Sequence, residues 1–281
     1  MKLFRYGPPG SERPGVLDSF GVRRDLSGVL DDIIGAHLGI ESIDRLRQLD
    51  VSRFPVVSDA ERIGPCLAQV GNFIGVGLSY ADHAVEAGFE IPKEPLLFNK
   101  APSCLSGPND DVPLPRGFTK VDWEVELAVV IGTRATYVSE VEAFAVVAGY
   151  CVCNDISERA FQNERGGQFS KGKGCPGFGP LGPWLVTPDE IDDVQNLSLW
   201  LSVNGEMMQN STTKQMLFGI HALVSYISNF MTLEPGDVIT TGTPAGVGLA
   251  RKPPRYLQPG DIVELSVEGL GVQRQRMISP P

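Results

Sequence analysis

The sequence lacks any apolar run close to the roughly 20 residues that a membrane-spanning helix requires. Its N-terminal segment, residues 1–10, contains no hydrophobic core of a signal peptide. The 5 cysteines form an odd set without the spacing of a disulfide framework, which favours a reducing compartment. The 3 histidines are too few and too scattered for a zinc site. We therefore predict a cytoplasmic protein that does not bind a membrane.

Positive charge is also scarce in this chain. The 24 Lys and Arg residues stand against 34 Asp and Glu residues, which gives a net charge of −10 at pH 7. This balance argues against nucleic acid and anionic membrane surfaces as partners. It leaves a small anionic substrate open, because a local cationic pocket can exist in an acidic protein.

Glycine and proline, by contrast, are abundant, with 32 and 22 copies in 281 residues. They predict many turns and a β-rich body of α+β class. The length suits one large domain or a large domain with a small companion. We predict a small N-terminal α/β domain over residues 1–70 and a catalytic domain over residues 71–281.

Hydrophobic periodicity and turn residues predict the individual elements. The predicted strands cover residues 2–6, 13–20, 21–26, 72–77, 96–100, 122–132, 149–155, 197–204, 238–241 and 261–267. The predicted helices cover residues 28–40, 43–49, 139–148 and 218–231, and the last of these is expected to bury Phe230. The pair Asn204-Gly205 predicts a hairpin turn.

Two glutamates stand out on the predicted strand 122–132. Glu124 and Glu126 lie two residues apart, so a strand projects them to the same face. Adjacent carboxylates repel each other, and a divalent cation such as Mg²⁺ or Mn²⁺ would offset the repulsion. Asp155, at the end of another strand, is the candidate third carboxylate. The alternative is a solvated strand edge with two exposed glutamates.

A second candidate pair lies in a helical stretch that follows the strand 72–77. His83 and Glu86 are at positions i and i+3, which makes their side chains neighbours on a helix. A carboxylate beside an imidazole orients the ring and raises its basicity, as a general base needs. The alternative is an incidental pair on a surface helix.

Two further features favour an anionic ligand. Lys100 ends the predicted strand 96–100 and offers a cation near the other candidates. Residues 242–248 form a glycine-rich loop that contains Thr243, and its backbone N–H groups and threonine are able to cradle an anion.

Six motifs occur in this chain in a fixed order, and such an ordered set is specific for a protein family. They are Gly77–Glu86, Asp122–Leu127, Asn154–Arg159, Lys171–Lys173, Gly179–Trp184 and Thr241–Gly248. This set resembles the fumarylacetoacetate hydrolase family over about residues 70–270. The N-terminal segment and the length resemble bacterial members that act on diketo acids, such as acylpyruvate hydrolases and 2,4-diketo-3-deoxy-L-fuconate or -rhamnonate hydrolases.

The resemblance implies a mixed β-sandwich or roll as the catalytic domain, a smaller N-terminal domain and a homodimer. It implies that Mg²⁺ or Mn²⁺ is held by Glu124, Glu126 and Asp155. It also implies roles for the remaining candidates: His83 and Glu86 activate water from a lid, Lys173 lies by the substrate oxygens, Thr243 contacts the substrate carboxylate, and Arg159 and Gln162 lie nearby.

The chain departs from the family pattern just after its lysine. The family usually has Asp-Thr where this sequence has Pro176-Gly177. Proline removes a backbone donor and glycine loosens the chain. The departure therefore predicts that Lys173 is held less firmly than in relatives.

These groups together predict a metal-dependent hydrolase that cleaves a C–C bond of a 2,4-diketo acid to pyruvate and a carboxylic acid. The metal would polarise the 2-keto group, His83 would deprotonate the attacking water, and Lys100 or Lys173 would stabilise the alkoxide. Decarboxylation of an oxaloacetate-like acid, isomerase or lyase activity, and a non-catalytic binding role are the alternatives.

Overall fold

The structure is a computed structural model that describes residues 1–88 and 90–280. Its N-terminal strands are β1 (Lys2–Tyr6), β2 (Arg13–Leu17), β3 (Arg23–Asp25), β4 (Phe73–Gly77), β5 (Leu96–Lys100), β6 (Leu105–Ser106), β7 (Val112–Pro113) and β8 (Val121–Asp122). The later strands are β9 (Val125–Ile131), β10 (Val147–Asn154), β11 (Ser157–Glu158), β12 (Gly179–Val186), β13 (Ser198–Val203), β14 (Glu206–Thr212), β15 (Val238–Thr240), β16 (Ile262–Val267) and β17 (Gly271–Ile278).

The helices are short and lie mainly between strands. The α-helices are α1 (Ile40–Arg47), α2 (Ala81–Ala87), α3 (Glu140–Ala143), α4 (Arg159–Asn163), α5 (Phe169–Lys173) and α6 (Ile220–Ser228). Single turns of 3-10 helix cover Gly35–His37, Val51–Arg53, Pro102–Cys104, Phe144–Val146, Pro188–Glu190, Val194–Asn196, Thr213–Gln215 and Gly248–Ala250. No helix within the described residues has the length and apolar character to cross a membrane.

One large mixed sheet runs through the molecule in the order β3-β2-β1-β12-β10-β9-β15-β4-β5, and β6 adds to it in parallel beside β12. The N-terminal strands belong to this sheet because β1 pairs antiparallel with β12. The division into domains at residue 70 stays a prediction.

A second sheet, in the order β14-β13-β16-β17-β7, packs against the first. Strands β13 and β16 contact β9, and β16 and β17 contact β10. Every residue of β9 and β10 is buried, so these two strands form the centre of the core. Strands covered on both faces are expected to be almost continuously apolar, as these are. The β-rich α+β class with packed sheets is confirmed.

The predicted helix over residues 28–40 is wrong. Its apolar positions Leu30, Ile33 and Leu38 are buried as the periodicity requires, but they lie in irregular segments on either side of the 3-10 turn Gly35–His37. Gly35 packs so closely on Pro235 that a Cβ atom would come within 2.1 Å of the Pro235 carbonyl oxygen. Tertiary packing of a glycine-containing loop therefore replaced the helix.

Other predicted boundaries differ in smaller ways. The predicted helix 139–148 divides into α3, a 3-10 turn and the start of β10. Phe230 lies beyond the end of α6 and is 63% exposed rather than buried. Strand β17 was not predicted, although it pairs with β16 along its length. The hairpin turn at Asn204-Gly205 is confirmed, because both residues have positive φ angles and join β13 to β14.

Candidate metal centre and active site

A cavity of about 340 Å³ opens beside the ends of β9 and β4. Eight of the ten predicted site residues line it: His83, Glu86, Glu124, Glu126, Arg159, Gln162, Lys173 and Thr243. The other two, Asp155 and Lys100, lie behind this wall in hydrogen-bonding contact with each other.

The three predicted carboxylates meet because β9 and β10 pair antiparallel. The pairing places Glu126 opposite Cys153, and the backbone N–H of Asp155 donates to the carbonyl of Glu124 at 3.0 Å. One oxygen from each of Glu124, Glu126 and Asp155 lies within 4.8 Å of the others. Their exposed fractions are 5%, 1% and 0%, which rules out the alternative of a solvated strand edge.

Two cations neutralise Glu124. Nζ of Lys173 donates to Oε2 of Glu124 at 2.5 Å and to Oδ2 of Asp155 at 2.6 Å. A guanidinium nitrogen of Arg159 donates to Oε1 of Glu124 at 2.6 Å. Burial by itself would raise the pKa of Glu124, but the charges of Lys173 and Arg159 lower it to about 2. Glu124 is therefore ionised at neutral pH.

Glu126 has the opposite environment. One of its oxygens accepts a hydrogen bond from the backbone N–H of Gly242 at 2.7 Å. Within residues 1–88 and 90–280, no cationic side chain forms an ion pair with it. Burial, followed by the charges of Asp155 and Glu124, raises the pKa of Glu126 well above its usual value.

The residues present fit a divalent cation. Oxygen ligands from three buried carboxylates are the donor set that Mg²⁺ and Mn²⁺ prefer. The burial and the neighbouring carboxylates that raise the pKa of Glu126 are what a bound cation would offset. In this structure the Lys173 ammonium lies against two of the three carboxylates and supplies part of that compensation.

His83 and Glu86 lie on α2 and face the same cavity. Nδ1 of His83 is 3.5 Å from Oε2 of Glu86, and within the described residues Nδ1 has no hydrogen-bond partner. The Glu86 carboxylate also accepts from the backbone N–H of Gly246 at 2.9 Å. Burial raises the pKa of Glu86, but His83 and Gly246 outweigh it, so the net shift is downward. The pair is thus part of a cavity wall rather than an incidental feature of a free surface.

Arg159 and Gln162 are placed together by α4. One Arg159 nitrogen donates to Oε1 of Gln162 at 3.2 Å, and Nε donates to Oδ2 of Asp122 at 2.9 Å. Thr243 lines the cavity, but its hydroxyl already donates to the Val125 carbonyl at 2.9 Å. Its predicted contact with a substrate carboxylate therefore cannot use that hydroxyl hydrogen without breaking this bond.

Lys100 differs from its predicted role as a substrate contact. It is 2% exposed and is absent from the cavity lining. Its Nζ donates to Oδ1 of Asp155 at 2.5 Å, to the Lys173 carbonyl at 2.7 Å and to the Phe178 carbonyl at 3.0 Å. An ammonium has three hydrogens, and all three are used. Lys100 holds Asp155 and the end of α5 in place.

Lys173 is firmly held in this structure. Its side chain is 3% exposed and bonds two carboxylates, while Lys100 binds its carbonyl. Gly177 has φ +79°, a conformation that a β-branched threonine adopts only with strain. The expectation that Lys173 is held less firmly than in relatives stays a prediction.

Sequence reasoning missed two supporting residues. Asp122 accepts from Arg159 and from the backbone N–H groups of Gly248 and Leu249, so it fastens the glycine-rich loop to the site. Gln209, on β14, accepts from the Val125 N–H and donates to the Thr243 hydroxyl. A carboxylate within an apolar stretch was the available signal for Asp122, whereas nothing in the sequence marks Gln209.

Comparisons with known proteins identify the family of this chain. Residues 72–278 match the family model described as fumarylacetoacetate hydrolase C-terminal. The solved fumarylacetoacetate hydrolase of Exiguobacterium antarcticum is 38% identical, with a TM-score of 0.85 and 99% of each chain covered. The solved 5-carboxymethyl-2-hydroxymuconate delta-isomerase of Mycobacterium smegmatis is 31% identical, with a TM-score of 0.77 and 100% of each chain covered.

A Burkholderia multivorans protein with a provisional hydrolase name is 56% identical over 276 residues, which cover 98% of each chain. The resemblance predicted from the six motifs is confirmed by these matches. The chain belongs to the fumarylacetoacetate hydrolase family.

Proposed function

We propose that this protein is a metal-dependent hydrolase that cleaves the C–C bond of a 2,4-diketo acid to pyruvate and a carboxylic acid. One observation carries the proposal: Glu124 and Glu126 of the buried carboxylate triad line the same cavity as the His83–Glu86 pair, with Asp155 directly behind them. Mg²⁺ or Mn²⁺ held by Glu124, Glu126 and Asp155 would supply Lewis-acid polarisation of the 2-keto group.

The chain's own residues account for the remaining steps. His83, with Glu86 behind Nδ1, is placed to take a proton from a water at its other ring nitrogen. The resulting hydroxide adds to C4 of the substrate, and the C3–C4 bond breaks. The proton held by His83 is then available for C3, which becomes the methyl group of pyruvate. Lys173 is the cavity cation closest to the triad, so it is placed to stabilise negative charge on the substrate oxygens.

The overall reaction consumes one water for each diketo acid. The hydroxyl of water ends in the new carboxylic acid and one hydrogen ends in the methyl group of pyruvate. No oxidant or reductant is needed. This balance is testable, because pyruvate and the acid must appear in equal amounts.

Purified protein should therefore be assayed with Mg²⁺ or Mn²⁺ on acylpyruvates, diketo sugar acids and oxaloacetate, with pyruvate detected by lactate dehydrogenase. We expect turnover of at least one diketo acid that disappears with EDTA and in the Asp155→Ala variant. The matched control Glu264→Gln alters a half-buried carboxylate on β16 outside the cavity and should retain full activity. Metal-independent turnover, or an active Asp155→Ala variant, would contradict the proposal.

Isomerisation is the second candidate, favoured by the likeness to the delta-isomerase of Mycobacterium smegmatis. An isomerase moves a proton between carbons and needs no attacking water. A substrate panel that includes hydroxymuconate-type acids, followed by absorbance and mass, separates the two reactions. Hydrolysis gives two products whose masses add up to the substrate plus one water, whereas isomerisation leaves the mass of the substrate unchanged.

The homodimer implied by the family resemblance is part of the proposal and has its own test. Light scattering coupled to gel filtration should give a mass of two chains. A mass of one chain at micromolar concentration would remove that part and leave the reaction unaffected.

A further inference from the structure

Much of the cavity lining is apolar, and the proposed chemistry does not use it. The apolar lining residues are Val76, Leu78, Phe98, Phe169, Val247 and Leu249. They come from the end of β4, from β5, from α5 and from the loop before β16. The rings of Phe98 and Phe169 lie side by side with centroids 5.6 Å apart. Separate segments of the chain thus form one apolar surface inside the cavity.

The aromatic pair adjoins the charged residues directly. Nζ of Lys173 lies 4.9 Å from the centroid of the Phe98 ring and also bonds Glu124 and Asp155. A substrate whose carboxylate end binds at the triad is therefore led past Phe98 towards Phe169. The part of the substrate that meets these rings is the group attached to C4.

The lining offers little to a second charged group at that end. Among the described lining residues the permanently charged cations are Arg159 and Lys173, and both already bond triad carboxylates. A second carboxylate against the phenyl rings would lose its hydration without gaining a cation. The neutral polar lining residues Gln162, Asn163 and Thr243 are the groups available to hydroxyls, so the comparison with hydroxylated ligands is part of the test.

We infer that the substrate carries an apolar alkyl or aryl group on C4, and that Phe98 and Phe169 determine this specificity. This inference rests on the proposed function and chooses among its substrates: an acylpyruvate with an apolar tail, rather than a diketo sugar acid or a dicarboxylate. Such a tail fills the apolar part of the 340 Å³ cavity and removes both its own surface and the two rings from water.

The test uses N-alkyl oxamates, which present a carboxylate beside a carbonyl but contain no C–C bond that the enzyme can hydrolyse. Calorimetry on the Mn²⁺-loaded protein should show affinity rising about threefold to fourfold for each methylene until the cavity is full. Phe169→Ala should flatten this dependence, and Phe169→Leu should reduce it if the alanine variant does not fold. The control Phe20→Ala changes a ring that is 85% exposed and outside the cavity, so it should keep the wild-type slope.

Affinity that is independent of chain length would overturn the inference. So would tighter binding of an oxamate that ends in a carboxylate or carries several hydroxyls than of the alkyl oxamate of equal length. Because oxamates do not react, absence of turnover on every diketo acid would remove the proposed function while the chain-length result still stands. Turnover without a chain-length effect would remove only the apolar specificity.

Discussion

Replacing Glu126 by glutamine should stabilise the metal-free protein and abolish its response to metal. Glu126 is 1% exposed, lies within 4.8 Å of Glu124 and Asp155, and accepts one N–H bond from Gly242. Glutamine has nearly the same shape and still offers an oxygen to Gly242. The substitution therefore removes the charge and keeps the packing.

The size of the effect follows from the raised pKa of Glu126, which is caused first by burial and then by the charges of Asp155 and Glu124. A glutamate in the unfolded chain releases its proton near pH 4.3, whereas the folded protein retains that proton to higher pH. The free energy of unfolding therefore falls as pH rises, by about 1.4 kcal/mol per pH unit between the unfolded and the folded pKa. At pH 7 this loss is present in wild type, and Glu126→Gln recovers it because glutamine carries no titratable proton.

Urea denaturation in EDTA at pH 5, 6 and 7 measures this difference. We expect Glu126→Gln to exceed wild type in free energy of unfolding by an amount that grows with pH. Asp237→Asn is the matched control, because Asp237 is equally buried but accepts three N–H bonds, from Asn72 and Glu234. In the Asp237→Asn variant, the NH₂ group of the new side chain would face N–H donors instead of accepting from them. The free energy of unfolding of this control should therefore fall by about 1–3 kcal/mol.

Adding Mn²⁺ should stabilise wild type more than Glu126→Gln and reduce or remove the advantage of the variant. A ligand at one hundred times its dissociation constant stabilises the folded state by about 2.7 kcal/mol. Wild type should gain this amount, and Glu126→Gln should gain little because one of three ligands has lost its charge. If Glu126→Gln is less stable than wild type in EDTA at pH 7, burial and the neighbouring carboxylates do not destabilise Glu126, and the prediction is wrong.

Three further predictions follow from the same contacts. His83→Ala should slow diketo-acid hydrolysis about 10²- to 10⁴-fold while any oxaloacetate decarboxylation, which needs no water, falls much less; equal losses in steady-state kinetics would make His83 a binding residue. Lys100→Met should lower the free energy of unfolding by about 3–5 kcal/mol, since it leaves the buried Asp155 without one of its cations, and an unchanged urea midpoint would contradict this. Gly177→Thr should lower it by about 1–2 kcal/mol because the residue has φ +79°, and a thermal melt equal to wild type would show that the turn adapts.

Sequence patterns located most of the strands because the interior strands are apolar along their whole length. The predicted strand 122–132 corresponds to β8 and β9, with Trp123 and Glu124 forming the break between them. Strand β4 and helix α2 also occur where periodicity placed them. Local sequence determines such elements when burial of one continuous segment is enough to stabilise them.

The incorrect helix occurs where a distant segment decides the outcome. Residues 28–40 carry a helical spacing of apolar side chains, yet the contact of Gly35 with Pro235 favours a loop. That partner is not visible from the local sequence, so propensity alone leaves the segment undetermined. Strand β17 is a different case, because its partner β16 directly precedes it in the chain and was itself predicted as a strand.

The sequence by itself determined which chemical groups are available: three carboxylates, a histidine with its glutamate, and the lysines. It did not determine their charge balance. From the sequence, Lys100 and Lys173 were equal candidates for the cation that stabilises the alkoxide. The fold buries Lys100 behind Asp155, whereas Lys173 lines the cavity. Among the residues that the structure describes, Glu126 forms no ion pair, and only the tertiary structure decided this, because charge compensation depends on distances of a few ångströms between side chains that are remote in sequence.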